Sequence, residues 1–182
     1  ALVREEDVLA HRERGLTPEE EALLREFPDP APDDWRGRMS ESAQRQWRAY
    51  LRHPWIAPLV SLHRPRLGPN GMREMEWAFG GLQHLAVPNV TRLQLYMAVT
   101  AFAHGAAGQA AAEKRLQLAS GRDSRAWWEA QAALLRELFS TGRYPLIARL
   151  GPNDEVAPDT WFEFGLTCLL DGFEQKLRTG AG

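Results

Sequence analysis

The chain has 182 residues, of which 44% are hydrophobic and 25% are charged, and its formal net charge is -2 at pH 7. This length is enough to bury a large core, and the composition excludes a disordered tail. Nucleic-acid binding by this segment alone is disfavoured, because phosphate binding needs clustered lysine and arginine. The single cysteine, Cys168, cannot form a disulfide within the chain, and no signal peptide is visible. These features together predict a compact, cytoplasmic domain.

Residues 1–32 are predicted to be a charged, helix-compatible lead-in that ends in a proline-rich linker. Thr17 and Glu20 form a capping box around Pro18, which is a strong signal for the start of a helix. The prolines at the end of this segment then force an extended backbone. We expect the compact domain to occupy residues 33–182.

Apolar residues at intervals of three or four predict helices through the middle of the chain. The first helix is expected to begin at Trp35, with Asp33 or Asp34 as its cap, and to stop before Pro54. A short helix is expected over residues 55–62, and a turn separates it from the next helix.

The next helix is predicted over residues 70–86, where Pro88 ends it and Asn89 caps the helix that follows. This helix contains a Gly80-Gly81 pair, and each glycine weakens a helix by roughly 1 kcal/mol relative to alanine. We therefore expect a bend or a close contact at the glycine pair.

The helix predicted over residues 90–118 is apolar on nearly every side, so we expect it at the centre of the fold. Its many alanines and glycines keep it thin, which would let it touch its own core and a second chain together. The stretch of residues 93–112 carries no charge and has the length of a membrane span. Polar residues interrupt it at Gln94, Thr100, His104 and Gln109, and we therefore predict a buried helix instead.

A further helix is predicted over residues 124–139, ended by Gly142, and a short helical turn is predicted over residues 144–150. The helix is expected to bury Trp127 or Trp128, Leu134, Leu135 and Leu138. No stretch alternates apolar and polar residues between hairpin turns, as a half-buried strand does. The fold class is therefore predicted to be all-α, an orthogonal or antiparallel helical bundle.

The last helix is predicted from Asp159 to Leu177, with Asp159 or Thr160 as its cap and Glu163 at capping-box distance. Its apolar arc covers roughly two-thirds of the circumference, whereas one core needs little more than about 100°. A narrow polar strip remains, made of Glu163, Thr167, Asp171 and Glu174. One side of the arc is expected to anchor the helix on its own subunit through Phe162, Leu166, Leu169, Leu170, Phe173 and Leu177. The other side is expected to pack against a second copy of the chain through Trp161, Phe164, Gly165, Cys168 and Gly172.

Several stretches resemble the C-terminal regulatory domain of tetracycline-repressor-like (TetR family) transcription regulators. They are R-H-P-W-I-A-P-L at residues 52–59, L-G-P-N-G-M-R-E-M-E at 67–76, R-Y-P-L-I-A-R-L at 143–150 and F-E-F-G-L-T-C-L-L-D-G-F-E at 162–174. They occur in the family's order and cover most of the chain from Trp35 onward. The resemblance implies an all-α regulatory domain that binds an effector, dimerises through a four-helix interface and belongs to a repressor.

The helix-turn-helix DNA reader that this family places ahead of the regulatory domain is not found in the sequence. The chain opens at Ala1 without a methionine. We therefore expect a piece of a longer regulator, in which residues 1–32 are the remainder of the connection to a DNA-binding domain. Operator DNA would then be bound only through residues absent from this chain.

Motifs for catalysis or for metal binding are not found. None of the five histidines has a metal-ligand spacing such as H-E-x-x-H, and no glutamate is followed by histidine three residues later. No nucleophile elbow supports serine or cysteine catalysis. We therefore expect no enzymatic activity, no metal and no cofactor.

A small-molecule site has more support, because the central helix carries polar groups. Thr100 and His104 lie on one side of that helix, and Tyr96 lies nearby. An unpaired buried hydroxyl or imidazole costs about 1 to 3 kcal/mol, so either the protein or a ligand must satisfy these groups. The functional interpretation is an apolar cavity with few convergent polar groups, which is typical of small-molecule sites. Its predicted lining is Trp55, Phe79, Gln83, His84, Tyr96, Thr100 and His104.

The preferred interpretation is a regulatory domain that forms a homodimer and binds a small apolar or aromatic effector, with no membrane partner. The effector changes the spacing of two attached DNA readers only if it binds the two conformations with different affinity. The closest alternative is a helical protein–protein interaction module without an effector. An all-α enzyme, with an acid–base pair facing a cavity, is the third possibility.

Overall fold

The computed structural model describes residue 27 and residues 30–54, 69–150 and 157–179. The described part of the chain contains five α-helices and one short 3₁₀ turn, and it contains no strand. The helices are α1 (Trp35–Arg52), α2 (Pro69–Leu82), α3 (Asn89–Ser120), α4 (Ser124–Ser140) and α5 (Pro158–Thr179), and the 3₁₀ turn is Ile147–Arg149. The all-α prediction is confirmed. Residues 1–26 and 28–29 of the predicted lead-in (1–32) and the predicted helix over residues 55–62 lie outside the described residues.

Helix α1 begins and ends where its caps require. The Asp34 carboxylate accepts a hydrogen bond from the backbone N–H of Gly37 at 2.8 Å, and this bond satisfies one of the free donors of the first turn. The helix stops at Arg52, before Pro54, as predicted. Its buried apolar residues repeat at helical spacing and form the face that packs on α3: Met39, Ala43, Trp47 and Tyr50.

Helix α2 ends at Leu82, so the prediction that it continues to Ala86 is wrong. Beyond Leu82 the backbone turns, and the Arg92 guanidinium donates to the carbonyl oxygens of Gln83 and Leu85 at 3.3 Å and 2.7 Å. These carbonyls therefore accept from an arginine side chain, and the Leu85 carbonyl also accepts from the backbone N–H of Val87 at 2.8 Å. Apolar spacing within α2 could not show where the helix ends, because the arginine that binds these carbonyls lies on α3.

The glycine pair in the last turn of α2 makes room for Arg38 of α1. A Cβ atom on Gly80 would lie 2.6 Å from Arg38 Nη1, and a Cβ atom on Gly81 would lie 2.8 Å from Arg38 Cβ. Arg38 uses this space to donate to the carbonyl oxygens of Pro32 and Trp77, both at 2.9 Å. The predicted close contact at the glycine pair is therefore confirmed.

Helix α3 lies at the centre of the fold and packs against α1, α2 and α5. Its cap position is Pro88, which makes no side-chain cap bond, so the prediction that Asn89 caps the helix is wrong. Asn89 is the first helical residue, and its Oδ1 accepts from Arg92 Nη1 at 2.8 Å. The helix ends at Gly121, whose φ of 69° is a left-handed conformation that glycine adopts without strain. Within the described residues, no helix is both long and apolar enough to cross a membrane.

Helix α4 forms as predicted but buries none of its residues. Asp123 caps it by accepting from the backbone N–H of Ala126 at 2.8 Å, and Gly142 follows it with a φ of 68°. The prediction that it buries apolar side chains is wrong for this chain, since exposed fractions reach 48% for Trp127, 53% for Trp128, 52% for Leu134 and 38% for Leu138. Helical spacing shows that a helix has an apolar face, but it does not show what covers that face.

Helix α5 begins at Pro158, one residue before the predicted start, and the backbone N–H of Trp161 donates to the carbonyl of Ala157 at 3.0 Å. Asp159 and Thr160 therefore lie inside the first turn, and the predicted capping role is wrong. Asp159 has another partner: its Oδ1 accepts from the indole Nε1 of Trp47 at 2.9 Å. This bond joins the first turn of α5 to a buried tryptophan of α1.

The anchoring side and the polar strip of α5 contact different parts of the fold. The side predicted to anchor the helix does so, with Phe162, Leu166 and Leu170 buried and Leu169, Phe173 and Leu177 packed against the core. Phe162 stacks on Trp47 with a centroid separation of 4.6 Å and an interplanar angle of 7°. On the polar strip, Arg36 of α1 forms ion pairs with Asp171 and Glu174 at 2.5 Å and 3.3 Å. The polar strip therefore faces the start of α1.

Gly165 allows α5 to approach α3 closely. A Cβ atom at this position would lie 2.6 Å from the Phe102 ring carbon Cζ, a distance that real side chains do not tolerate. Phe102 in turn stacks on Phe162 at 5.6 Å. The glycine is therefore required by packing within one chain, whatever else touches it.

We predict that Gly165→Ala lowers the free energy of unfolding by about 1 to 3 kcal/mol, because the added methyl group overpacks the contact with Phe102. Thermal or urea unfolding followed by circular dichroism measures the change. The matched control is Gly105→Ala on α3, where an added Cβ meets nothing within 4 Å. That substitution should be neutral or stabilising by up to about 1 kcal/mol, since alanine favours the helix. Equal stability of the two variants would contradict the packing argument.

Candidate functional site

A polar cluster lies between α1, α2 and α3 inside the apolar bundle. The Ser42 hydroxyl, which is buried, donates to Glu74 Oε1 at 2.5 Å. Gln46 Nε2 donates to Ser42 Oγ at 3.2 Å and approaches Thr100 Oγ1 at 3.5 Å. Thr100 is also buried. These residues, Ser42, Gln46, Glu74 and Thr100, together with the rings of Tyr50 and Tyr96, are called the polar cluster below.

The Glu74 carboxyl is the acidic group of the polar cluster, and its pKa is shifted by its surroundings. Burial raises the pKa of Glu74, because a carboxylate loses hydration energy among apolar helices. Hydrogen bonds from Ser42 and Gln46 and the positive charge of Arg45 act in the opposite direction and lower the pKa. The burial effect is the largest of these causes, so the net shift is upward.

Aromatic side chains form the walls of the polar cluster. The Phe79 and Tyr96 rings are 5.4 Å apart, which joins α2 to α3, and the Tyr50 ring meets the His104 ring edge-on at 5.6 Å. Burial, followed by the nearby charge of Glu74, raises the pKa of Tyr96 to about 12. Burial likewise raises the pKa of Tyr50. Both phenols therefore stay protonated at neutral pH and can donate a hydrogen bond.

The structure brings some of the residues predicted for the ligand site together and separates others. Three of them lie at the polar cluster: Thr100, Tyr96 and Phe79. His104 contacts the Tyr50 ring of the cluster edge-on. Gln83 and His84 are exposed in the turn after α2, away from the buried interior. Trp55 lies outside the described residues. Binding of a ligand by any of these side chains stays a prediction.

Sequence reasoning missed Ser42, Gln46, Tyr50 and Glu74. A signal was available on α1, where Ser42 and Gln46 are one helical turn apart and follow the buried Met39 by three and seven positions. Polar residues that continue an apolar face need partners, just as Thr100 does on α3. Glu74 offered no such signal, because α2 is short and an isolated glutamate usually faces solvent.

Two depressions lie on the surface of the described structure. One, of about 340 Å³, separates the start of α1 from the polar strip of α5 and is lined by Asp34, Arg36, Gly37, Ser40, Gln44, Glu163, Leu166, Thr167 and Leu170. The other, of about 310 Å³, lies where the end of α1 meets α3 and the start of α5, and Tyr50 and Asp159 line it. Tyr50 is thus shared by the second depression and the polar cluster. Among the described residues, no three His, Cys, Asp or Glu side chains are grouped so that they could hold a metal ion.

The residues predicted for a dimer interface differ in their exposure. Phe164 is 69% exposed and Trp161 is 42% exposed, and Cys168 is exposed as well. An added Cβ on Gly172 would meet nothing within 4 Å, whereas Gly165 packs on Phe102 of its own chain. The outer side of α5 is therefore apolar and accessible, and its covering by a second copy remains a prediction.

Comparison with known proteins identifies the class of this domain. A family model described as "Tetracyclin repressor-like, C-terminal domain" matches residues 27–177. The chain is also similar to a protein of Streptomyces coeruleorubidus named "HTH-type transcriptional repressor DrrR1", with 30% identity over 141 residues. That alignment covers 77% of this chain and 52% of the relative, so the chain spans about half the length of the relative.

An all-α bundle that matches this family model over residues 27–177 supports a regulatory role for the chain. The chain belongs to the tetracycline-repressor-like C-terminal domain family, as the sequence resemblance implied. Both comparisons point to transcription regulators, a class that normally does not catalyse reactions.

The raised pKa of Glu74 predicts how stability depends on pH at this site. The folded state holds the Glu74 proton more tightly than the unfolded state, so this group favours folding in acid. Its favourable contribution is lost as the pH rises through the folded pKa, which lies above 4.5. We therefore expect wild type to gain stability relative to Glu74→Gln as the pH falls from about 7 toward the ordinary carboxyl pKa of 4.5. Urea unfolding of both proteins across this range measures the difference, and a difference independent of pH would contradict the burial of the charge.

Proposed function

We propose that the chain is the ligand-sensing, homodimerising regulatory domain of a TetR-like transcriptional repressor that works in the cytoplasm. Membership of the family supports a regulatory role. The observation that carries the ligand-sensing part is the polar cluster, in which Ser42, Gln46 and Thr100 meet Glu74 among apolar helices. Convergent polar groups in an apolar interior are typical of small-molecule sites.

The proposed effector is a small molecule with an apolar or aromatic body. The paired rings of Phe79 and Tyr96 offer it an aromatic wall, and both residues remain partly exposed. Thr100 and the Tyr96 phenol offer hydrogen bonds beside that wall. A ligand at this place would contact α2 and α3 together.

Signal transfer is proposed to run along α3 to α5. Helix α3 carries Thr100 at the polar cluster and, two residues later, Phe102 against Gly165 of α5. Because the Phe102 ring packs directly on α5 at Gly165, we propose that a displacement of α3 is passed on to α5. The effector acts as a switch only if it binds one arrangement of these helices more tightly than the other.

The proposed partner on the outer side of α5 is a second copy of the chain. Exposed apolar side chains on α5, above all Phe164 and Trp161, supply surface that a monomer would leave in water. By similarity to the relative, which is named an HTH-type transcriptional repressor, we propose that operator DNA is bound by a part of the longer protein outside this chain.

A helical protein–protein interaction module without an effector is the second candidate. The observation that favours it is α4, which buries none of its residues and exposes Trp127 and Trp128. Native mass spectrometry separates the two candidates. A homodimer that carries a small molecule favours the sensor, and a monomer without ligand favours the interaction module.

We predict that the chain is a dimer at micromolar concentration and that Phe164→Glu raises the dimer dissociation constant at least about tenfold, because it places a charge in an apolar contact. Sedimentation-velocity ultracentrifugation measures the constant. Thr167→Glu is the matched control: it introduces the same charge at an exposed position of α5, on the polar strip instead of the apolar side. It should leave the constant within about twofold. A monomeric wild type would overturn the proposed interface, and so would equal effects of the two variants.

We predict saturable binding of the neutral aromatic probe naphthylmethanol at the polar cluster, measured by isothermal titration calorimetry. Tyr96→Ala should weaken this binding about fivefold, since it removes one ring of the aromatic wall. Tyr144→Ala is the control, because Tyr144 is exposed and lies beyond the end of α4. Absence of saturable binding, or equal weakening by the two substitutions, would contradict the proposed sensor site.

A further inference from the structure

Glu74 places an acidic group at the accessible edge of the polar cluster. The residue is partly exposed, as are Phe79 of the same helix and Tyr96 of α3. Ser42 and Thr100, in contrast, are buried behind it. The Glu74 side chain is therefore more accessible to a ligand than the Ser42 and Thr100 hydroxyl groups.

The hydrogen bonds of the polar cluster are directed toward this carboxylate. Gln46 donates to Ser42, and Ser42 donates to Glu74 at 2.5 Å. A separation of this size is typical of a hydroxyl bonded to a charged oxygen. Each donor thus helps to hold negative charge at Glu74, while the carboxylate has two oxygens and can accept further bonds.

The charge of the Glu74 carboxylate is opposed by its burial and favoured by its polar neighbours. Arg45 and the hydrogen bonds from Ser42 and Gln46 stabilise the carboxylate, but burial still raises the pKa of Glu74. Arg45 is the protein cation that stabilises the charged form of Glu74, and two hydrogen bonds act in the same direction. A ligand cation beside the carboxylate would stabilise its charged form, because opposite charges attract more strongly in apolar surroundings than in water.

The aromatic wall suits the same class of ligand. The faces of aromatic rings attract cations, and an aromatic ligand body can stack on them. Phe79 and Tyr96 are 5.4 Å apart and meet at 54°, so they form the two sides of a corner rather than a flat surface. Burial and the charge of Glu74 keep the Tyr96 phenol protonated, so this ring carries no negative charge of its own at neutral pH.

We propose that Glu74 makes this domain selective for effectors that carry a protonated amine on an aromatic body. The ammonium group lies on the Glu74 carboxylate, and the aromatic body lies against Phe79 and Tyr96. This inference rests on the proposed function and adds the charge class of the effector. Acidic effectors are disfavoured at this place, because their charge would repel Glu74.

The test compares two probes of nearly equal shape, naphthylmethylamine, which is protonated at neutral pH, and naphthylmethanol, which is neutral. Wild type should bind the amine at least about tenfold more tightly than the alcohol, because a hydrogen bond between charged groups is stronger than a neutral one. In Glu74→Gln this preference should fall to within about twofold, since glutamine keeps the shape and the acceptor oxygen but removes the charge. Calorimetry at matched pH and salt measures both affinities.

The control variant is Glu76→Gln, which removes a negative charge from an exposed position on the same helix. Glu76→Gln should keep the preference for the amine. Because both variants change the net charge equally, this comparison separates a contact with Glu74 from a general effect of charge. Loss of the preference in Glu76→Gln, or its survival in Glu74→Gln, would overturn the inference.

The comparison of the two probes on wild type remains decisive even if Glu74→Gln does not fold. Equal binding of amine and alcohol overturns selectivity for a cation and leaves the sensor site in place. Binding of neither probe overturns the inference together with the proposed effector site. Tighter binding of the amine that weakens to the affinity of the alcohol in 1 M salt supports the charged contact.

Discussion

The hydrogen bond from Ser42 to Glu74 is the constraint on which the middle of this structure depends. A buried hydroxyl must find an acceptor, and here the acceptor belongs to a different helix. Gln46 extends the connection from Ser42 toward Thr100, so polar groups join α1, α2 and α3. Apolar packing could be satisfied by several rotations of these helices, whereas a carboxylate that must face a particular hydroxyl permits few of them.

Helix α3 links the two surfaces to which we assign functions. Toward one side it contributes Thr100 and Tyr96 to the polar cluster, and toward the other it contributes Phe102 to the contact with Gly165 of α5. Because its buried face consists largely of alanine, neighbouring helices approach it closely. A thin central helix that joins the polar cluster to α5 suits the proposed role, in which binding at one place causes movement at another.

The sequence predicted the all-α class, the course of α3 and the anchoring side of α5, because these depend on helical spacing and on glycine and proline positions. Prediction from the sequence failed where a residue far along the chain bonds to a helix end. Arg92 ends α2 before Ala86, and Trp47 takes the Asp159 carboxylate that had been expected to cap α5. In the candidate site, the polar residues of an apolar helix were recognisable, but Glu74 became visible only when the fold placed it against Ser42.

Hydrogen exchange measured by mass spectrometry, with and without saturating naphthylmethanol, tests most directly whether a small molecule is sensed at the polar cluster. We predict slower exchange in the peptides that cover residues 42–50, 74–82 and 96–104, because these segments surround the cluster. Protection should extend to the α5 residues that pack on Phe102. Unchanged exchange in all three segments, or protection confined to α4, would contradict the account.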